Sequence, residues 1–339
     1  MSPRYLVRRL VQAVLTVLFV VLLNFILFRA MPGSPERVLL RNPHLTPEVI
    51  QAARARWGLD KPTYPIDIHL EVPSITFAPE NQLFDYVASS FEGDLGYSLL
   101  YRGRSVVDVI GDRFWPTILL IGLAEIVAIV VGLALGAYTG WRRGGVTDRV
   151  GNGLSLILYS MPYFVIGMPL IIIFAAGLHW FPTSGMLSPN LATASAIDKA
   201  IDIAKHMVLP LTTISLGLIG GYSILMRSSI IETRAEDYVT TARAKGLSDR
   251  RIMLAHAFPN ALLPTVTIVA INLGYVVAGA ITAEIVFNWP GLGTLTVDAL
   301  KARDYPLLQG IFLLLSGTVV FANLIADLLY GFLDPRVRT

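Results

Sequence analysis

Long runs without charged side chains alternate with polar segments along this chain of 339 residues. A helix needs about 20 mostly apolar residues to cross the hydrocarbon core of a bilayer. We exclude a Pro- and Gly-rich loop after residue 178 and a polar segment that ends at Pro264. Six stretches of this length remain. They lie within 10–28, 114–141, 150–178, 206–226, 265–283 and 305–332. The pattern therefore predicts an all-α membrane protein with six transmembrane helices.

The distribution of basic residues predicts the orientation of these helices. Six is an even number, so both termini lie on one side of the membrane. If that side is the cytoplasm, the short inside segments carry 14 Lys and Arg residues, and the two short outside loops carry 4. Because short cytoplasmic loops are enriched in Lys and Arg, the count predicts an N-in, C-in topology.

The first apolar run has two interpretations, a retained helix or a cleaved signal peptide. A signal peptide has an apolar core of about 7–15 residues followed by a small-x-small cleavage site. The run at 10–28 is longer, and the sequence FRAMPGS that follows it lacks such a site. We therefore expect a retained first helix.

The segment between the first two spans is external in this topology and far longer than the usual connection between bundle helices. Within it, Thr46-Pro47-Glu48 predicts a helix start, since a capping hydroxyl precedes a proline. Segments 83–91 and 105–114 mix apolar and acidic residues at helical spacing. They either lie flat on the membrane surface or pack into a small external subdomain.

These boundaries predict four parts of the chain. They are a first transmembrane helix at 1–30, an external loop subdomain at 31–114, a five-helix core at 115–334 and a cytoplasmic tail at 335–339. The core includes a cytoplasmic loop at about 232–260.

This cytoplasmic loop is polar, basic and helical in its pattern. We expect a helix, a break at Gly246, a second helix capped by Ser248, and a stop at Pro259. Ser is a favoured N-cap because its hydroxyl accepts a backbone N–H bond. The loop is either a compact knob that projects from the bilayer or a solvated basic loop beside anionic lipid.

Glycines four residues apart predict close helix packing within the spans. Gly132, Gly136 and Gly140 follow this spacing, as do Gly217 and Gly221. Small residues at such intervals let two helix backbones approach each other.

Composition agrees with a membrane protein and excludes several kinds of site. Charged residues make up 15% of the chain, against roughly 25% in soluble domains. There is no cysteine, which excludes disulfides and thiol chemistry. No lysine follows a glycine, so the chain has no phosphate-binding loop, and it has no HExxH zinc motif. We therefore expect no catalytic residue, bound cofactor or metal, and the small net charge of +3 predicts no nucleic-acid partner.

Acidic residues inside the spans leave two other functions open. Glu125 lies near mid-span, whereas Glu284 and Asp327 fall near helix ends, where we expect them to reach water. A secondary transporter would use buried carboxylates, but the chain lacks a detectable inverted repeat. An intramembrane serine protease would need a histidine from another membrane helix to face Ser223. Both functions remain alternatives.

The cytoplasmic loop resembles the EAA loop of ABC importer permeases. That pattern is Glu-Ala-Ala, three residues, Gly, nine residues, then Ile-x-Leu-Pro. Ala242, Gly246 and Pro259 match it, whereas Thr240, Thr241, His256 and Phe258 depart from it. The longer stretch YVTTARAKGLSDRRIMLAHAFPNALLP is similar, nearly throughout, to the dipeptide/oligopeptide/nickel branch of these permeases.

Other stretches resemble the same branch, in the same order along the chain. They are PGSP (32–35), GLDKP (58–62), GDLGYS (93–98), EIVFNWPGLG (284–293), RDYPLLQG (303–310) and DPRVR (334–338). One departure is the segment 65–83, which is longer than the usual connection there.

The resemblance implies an ABC type I importer permease fold in the inner or plasma membrane of a prokaryote. It implies a non-catalytic subunit that pairs with a second, similar permease within membrane lipid. Two ATP-binding subunits on the cytoplasmic side would hold ATP and Mg²⁺, and an external substrate-binding protein would deliver the substrate. Di- or oligopeptides are the implied substrates, with nickel or another small solute as the alternative.

The resemblance also assigns two candidate functional segments. The first is the loop that would insert into a groove of the ATPase and couple hydrolysis to transport, with Thr240, Thr241, Ala242, Gly246, His256, Phe258 and Pro259. The second follows the fifth span on the external side and is either a Pro-Gly turn or part of a gate, with Glu284, Asn288, Pro290, Gly291 and Gly293. The pore-lining residues, the role of 65–83 and the identity of the partner permease stay open.

Overall fold

We describe the fold from a computed structural model. It describes residues 3–30, 51, 61–63, 66–69, 74–77, 80–101, 103–191, 194–276 and 281–333. Several predicted features lie outside the described residues, namely the helix start at Thr46-Pro47-Glu48, the stretches at 32–35 and 334–338, and part of the stretch at 58–62.

Helices dominate the described part of the chain. They are α1 (Pro3–Ala30), α2 (Gln82–Glu92), α3 (Val106–Trp141), α4 (Val146–Ser160), α5 (Tyr163–Leu170), α6 (Ala196–Arg234), α7 (Asp237–Ala244), α8 (Asp249–Ile252), α9 (Phe258–Tyr275), α10 (Ile281–Val286), α11 (Leu292–Ala302) and α12 (Tyr305–Leu333). A segment of π-helix, Ile171–Gly177, follows α5, and another, Met253–Ala257, follows α8. A 3₁₀ turn, Pro189–Leu191, precedes α6.

Among the described residues, four helices are long and apolar enough to cross a membrane: α1, α3, α6 and α12. A fifth apolar unit combines α4 with α5 and its π-helix, but its two arms meet at 101°. The span predicted within 150–178 is therefore not one continuous helix but a broken pair of helices. Pro162 explains the break, because a residue before proline avoids the helical region, and Met161 is extended (φ −83°, ψ 127°).

The helix α9 also differs from the sequence pattern. We expected the chain to stop being helical at Pro259 and to resume after Pro264. Instead α9 begins at Phe258 and continues through both prolines. Pro259 is tolerated because the π-helix Met253–Ala257 stands directly before α9 and interrupts the i→i−4 bonding pattern in which a proline lacks its N–H. The preceding π-helix joins α9 to α8 without a loop.

The chain divides into two compact units, each assembled from separated segments. The first unit comprises Met1–Arg9, Phe114–Thr294 and Phe321–Thr339, and the second comprises Leu10–Arg113 and Leu295–Val320. The boundaries at residues 30, 114 and 334 stay a sequence prediction.

In the first unit, α6 packs against α3 along the predicted glycine stripe. A Cβ atom on Gly132 would lie 2.7 Å from Cβ of Tyr222, and one on Gly140 would lie 2.8 Å from the carbonyl oxygen of Arg227. One on Gly136 would overlap the carbonyl oxygen of Ser223. The prediction of close backbone packing at this stripe is confirmed.

The second glycine pair acts differently. A Cβ on Gly217 would meet the ring of Tyr163 at 2.7 Å, and one on Gly221 would meet the ring of Tyr159 at 3.3 Å. These glycines therefore make room for aromatic rings. Backbone approach on this side of α6 occurs at Gly220, where a Cβ would lie 2.7 Å from the backbone nitrogen of Tyr159.

Gly136→Ala is expected to destabilise the protein by about 1–3 kcal/mol, because an added methyl would force α3 and α6 apart. The melting temperature in detergent, measured from loss of the monodisperse peak on size exclusion, should fall. Gly122→Ala is the matched control, since Gly122 lies in the same helix with nothing within 4 Å of its Cβ position. Equal melting temperatures for the two variants would contradict the close packing.

In the second unit, the segment 83–91 forms the expected helix. The side chain of Asn81 caps α2 by accepting a bond from the Phe84 backbone N–H at 3.0 Å, and Gly93 ends it in the left-handed region (φ +80°). The rings of Tyr86 and Phe25 lie 5.5 Å apart, so α2 packs against α1. The segment 105–114 forms no separate helix, because it is the first part of α3.

Asp304 joins two of the family-like stretches within the second unit. Its carboxyl is fully buried and accepts bonds from the Ser98 hydroxyl (2.5 Å), the Leu100 N–H (2.9 Å) and the Leu307 N–H (3.1 Å). The stretches at 93–98 and 303–310 are therefore held together by one carboxylate.

The long segment at 65–83 contains the exception to the all-helical description among the described residues. Strands β1 (Ile66–His69) and β2 (Ser74–Phe77) pair antiparallel, with Ile66 opposite Phe77. The sequence did not predict this pair of strands.

Candidate coupling loop and external turn

The turn between α7 and α8 is built around Gly246. Its backbone is left-handed (φ +78°), a conformation that costs little only for glycine. The Gly246 N–H donates to the Arg243 carbonyl at 2.9 Å, and the Leu247 N–H donates to the Ala242 carbonyl at 3.3 Å. This pair of bonds is a Schellman motif. The predicted helix break at Gly246 is confirmed.

Ser248 occupies the N-cap position of α8, as expected, but its side chain makes no capping bond. The short α8 continues through the π-helix into α9. The second helix of the loop is thus a direct extension of a long apolar helix.

Some of the predicted coupling residues are buried against the spans, and others are exposed. Ala242 and Val239 are buried in an apolar cluster with Ile230 and Ile252. Ala242 therefore packs the loop against the spans instead of lying on its surface. Of the other predicted residues, Thr240, Thr241, Gly246 and Pro259 are exposed, and His256 and Phe258 are half-buried.

The exposed face of the loop carries both signs of charge. Glu236 and Asp237 lie at the start of α7, and Arg243 and Lys245 lie at its end, where they suit the helix dipole. Burial, and then the neighbouring Glu236, raise the pKa of the Tyr238 phenol. Tyr238 therefore stays a neutral hydrogen-bonding group at physiological pH.

Trp141, at the end of α3, anchors this loop. Its indole N–H donates to the Asp249 carboxylate at 2.7 Å, and its carbonyl accepts a bond from Arg234 at 2.7 Å. The guanidinium carbons of Arg234 and Arg243 lie 5.6 and 5.8 Å from its ring centroids, within cation–π range. Sequence reasoning missed Trp141, although an aromatic residue at a span end, followed by two arginines, was a signal.

A second anchor joins α4 to α6. Arg227 donates to both carboxylate oxygens of Asp148, at 2.6 and 3.1 Å, and the Gly144 N–H donates to the same group at 2.9 Å. Such forked arginine–carboxylate pairs are geometrically specific. Asp148 is only 4% exposed, so its carboxylate is largely shielded from water, whereas Arg227 is partly exposed.

The turn between α10 and α11, predicted to be external, is organised by Glu284. We expected Glu284 to reach water, but it is fully buried. One carboxylate oxygen accepts a bond from the Thr117 hydroxyl at 2.9 Å, and the other accepts the N–H bonds of Gly293 (2.8 Å) and Thr294 (3.1 Å). These N–H groups begin α11, where backbone donors and the helix dipole favour an anion.

The glycines of this turn leave the space that the buried Glu284 carboxylate and its helix occupy. A Cβ on Gly291 would overlap the Glu284 carboxyl group, and one on Gly293 would lie 2.7 Å from Cα of Ile281. Asn288 adopts a left-handed backbone (φ +47°), and Pro290 and Gly291 complete the bend before α11. The segment is a turn, as one of the two interpretations proposed, and a role in a gate stays a prediction.

Two further contacts fix the turn to α3. The Trp289 side chain is fully buried, and its indole N–H donates to the Pro116 carbonyl at 2.9 Å. The Thr117 hydroxyl accepts a bond from the Leu292 N–H at 2.7 Å. Sequence reasoning missed Thr117 and Trp289, because neither residue type carries a specific signal of its own.

Other acidic and hydroxyl residues of the spans also have defined partners. Asp327 pairs with Arg9 at 3.0 Å and is partly exposed. Glu125 is buried and accepts a bond from the Tyr222 hydroxyl. Ser223 accepts a bond from the Ser155 hydroxyl at 2.9 Å, whereas His206 lies against the Asp202 carbonyl. This arrangement does not favour a serine protease.

Comparison with known proteins supports one family over nearly the whole chain. Residues 2–121 match the N-terminal part, and residues 128–339 the main part, of the binding-protein-dependent transport system inner membrane component. The probable peptide ABC transporter permease protein y4tP of Sinorhizobium fredii is 35% identical over 334 residues, covering 98% of this chain and 99% of that protein. The glutathione transport system permease protein GsiC of Escherichia coli K12 is 33% identical, with 98% of each chain covered.

The fold is similar to that of a solved importer. The inward-facing MetNI methionine ABC transporter superposes with a TM-score of 0.54 at 15% identity, covering 67% of this chain and 97% of that chain. The family implies ATP-binding partner subunits and a substrate-binding protein. The chain therefore belongs to the binding-protein-dependent transport system inner membrane components, and it is a non-catalytic, multi-pass permease subunit of an ABC importer.

Proposed function

We propose that this permease forms the translocation pathway of an ATP-driven importer of di- or oligopeptides. The loop from α7 to α8 couples ATP hydrolysis on partner chains to movement of the spans. The observation that carries the proposal is the anchoring of this otherwise exposed loop to the ends of two spanning helices, through Trp141 and Arg234. The names of the relatives, a peptide permease and a glutathione permease, support a peptide substrate.

The anchors supply a path for mechanical coupling. A push on α7 and α8 reaches α3 through the Asp249–Trp141 bond. It reaches α6 through the buried contacts of Val239 and Ala242 with Ile230. The Arg227–Asp148 pair then links α6 to α4. Packed helices move as rigid bodies when a partner changes position, so the loop acts as a lever on three helices.

The complete assembly in this proposal has a second, similar permease, two ATP-binding subunits and an external substrate-binding protein. The chain has six spans, with α9 and the bent α4–α5 unit completing the set, and both termini are cytoplasmic. This topology places α7 and α8 on the side of the membrane where ATP is hydrolysed. To test the substrate class, uptake of labelled peptides by the reconstituted complex is compared with its uptake of nickel.

Gly246→Asp is expected to uncouple the complex. The new side chain would stand on the exposed tip of the loop, and its Cβ would strain the left-handed backbone. In proteoliposomes, ATP-dependent uptake should fall below about a tenth of the wild-type rate, since a subunit docking contact is lost. ATP hydrolysis by the same complex should persist.

Gly93→Asp provides the matched control. Gly93 also ends a helix in the left-handed conformation (φ +80°), and both Cβ positions have nothing within 4 Å. The two variants therefore carry similar backbone strain, but Gly93 lies in the segment predicted to be external. Uptake at the wild-type rate by the Gly246→Asp complex would refute the coupling role.

A further inference from the structure

A cavity of about 760 Å³ opens in the first unit among α4, α5, α6 and α9. Small-molecule sites in proteins typically have volumes of about 300–1,000 Å³. Most of the wall is apolar, but the side chains of Tyr159, Tyr163, Tyr222 and Asn272 also line it. The cavity is therefore large enough for a small solute, and we refer to these four polar side chains as its polar wall.

A series of hydrogen bonds connects this polar wall to a buried carboxyl group in α3. The Asn272 amide donates to the Tyr222 hydroxyl at 2.9 Å, and that hydroxyl donates to the Glu125 carboxyl. Glu125 is 2% exposed and lies in the middle of α3. Its carboxyl thus reaches the cavity only through Tyr222.

Glu125 has no cation to balance it along the described ranges of the chain. Its polar partner there is the Tyr222 hydroxyl, and no lysine, arginine or histidine pairs with it. Ionisable groups inside a membrane are costly and usually serve a function. A hydroxyl that donates to a carboxylate becomes a stronger acceptor, because hydrogen bonds in a chain polarise one another. The polar wall is therefore suited to a positively charged donor.

We propose that Tyr222 and Asn272, supported by Glu125, bind the amino-terminal ammonium group of a peptide as it passes through the membrane. Tyr159 and Tyr163 in the same wall add cation–π attraction. The apolar remainder of the cavity contacts the rest of the peptide without selecting its side chains. This inference rests on the proposed importer function and adds a substrate-contacting site to it.

The absence of cysteine from the sequence makes a direct test possible. Ser228 lines the cavity, whereas Ser160 does not. Both serines are exposed and bond to the carbonyl four residues earlier. Ser228→Cys and its control Ser160→Cys are labelled with a maleimide in nanodisc complexes whose other subunits lack cysteine. The probes are trialanine and N-acetyl-trialanine, which differ in the ammonium group.

Trialanine should halve the labelling rate of Ser228→Cys at a concentration about tenfold lower than N-acetyl-trialanine requires, the scale of one charged hydrogen bond. At the concentration at which trialanine halves the rate, N-acetyl-trialanine should slow labelling little, and neither peptide should protect Ser160→Cys. Adding Glu125→Gln or Tyr222→Phe should abolish the protection by trialanine. If both of these variants fail to assemble, Asn272→Ala should weaken the protection instead.

Equal protection by the two peptides, or protection that survives these substitutions, would overturn the site. ATP-dependent uptake of trialanine is measured on the same wild-type complexes. Uptake without protection would refute this site and leave the importer function standing. Protection without uptake would support the site and count against the importer function.

Discussion

Glu284→Ala is expected to lower the free energy of unfolding by at least about 3 kcal/mol, since an unsatisfied buried donor costs about 1–3 kcal/mol. The substitution leaves three donors without their acceptor: the Thr117 hydroxyl and the N–H groups of Gly293 and Thr294. It also opens a cavity where the side chain was fully buried. Denaturant titration in detergent, followed by the fluorescence of the neighbouring Trp289, measures the change.

Two further variants test whether this loss of stability comes from the hydrogen bonds that Glu284 accepts. Glu284→Gln keeps one acceptor oxygen, so we expect a smaller loss than for alanine. Asp298→Ala removes an exposed carboxyl group from α11 and should leave stability nearly unchanged. A stability loss for Asp298→Ala that equals the loss for Glu284→Ala would contradict the capping role of Glu284.

Trp141→Ala is expected to cost about 3–5 kcal/mol of stability, the usual range for a buried tryptophan, and to abolish uptake by the reconstituted complex. The substitution removes the bond to Asp249 and the ring that faces Arg234 and Arg243. The loop then loses its attachment to α3, so ATP hydrolysis can no longer move that helix. Uptake per ATP hydrolysed is the measurement that separates coupling from stability.

Trp141→Phe and Trp115→Ala serve as the comparisons. Phenylalanine keeps the aromatic ring but not the N–H donor, so stability should recover more than uptake. Trp115 lies near the other end of α3 and is 70% exposed, and its replacement should change neither property by much. Full coupling in the Trp141→Phe complex would show that the bond to Asp249 is unimportant.

The sequence predicted the features that depend on local pattern. Charge-free runs located the long helices, because a bilayer imposes a minimum apolar length. Gly246 was predicted as a break, and it adopts the left-handed backbone that glycine favours. The spacing of Gly132, Gly136 and Gly140 predicted a close helix contact because four-residue steps share one helix face.

Features that depend on distant partners were not predictable in this way. The position of Glu284 near a helix end suggested exposure, but the residue is buried because Thr117 and the start of α11 surround it. Composition alone likewise made 150–178 one span, although Pro162 turns the chain. Pro259 favours a helix stop, but the π-helix before it allows the helix to continue.

The Glu284 contact also has a consequence for the order in which the protein is made. Thr117 precedes Glu284 by 167 residues, and Gly293 and Thr294 follow it. The two backbone donors are translated within 10 residues of the carboxylate, whereas Thr117 belongs to a helix that is made much earlier. Glu284 therefore emerges almost together with two of its donors and meets the third on a helix that is already in place. An unpaired acid in the bilayer, a state that is costly, is thus avoided during membrane insertion.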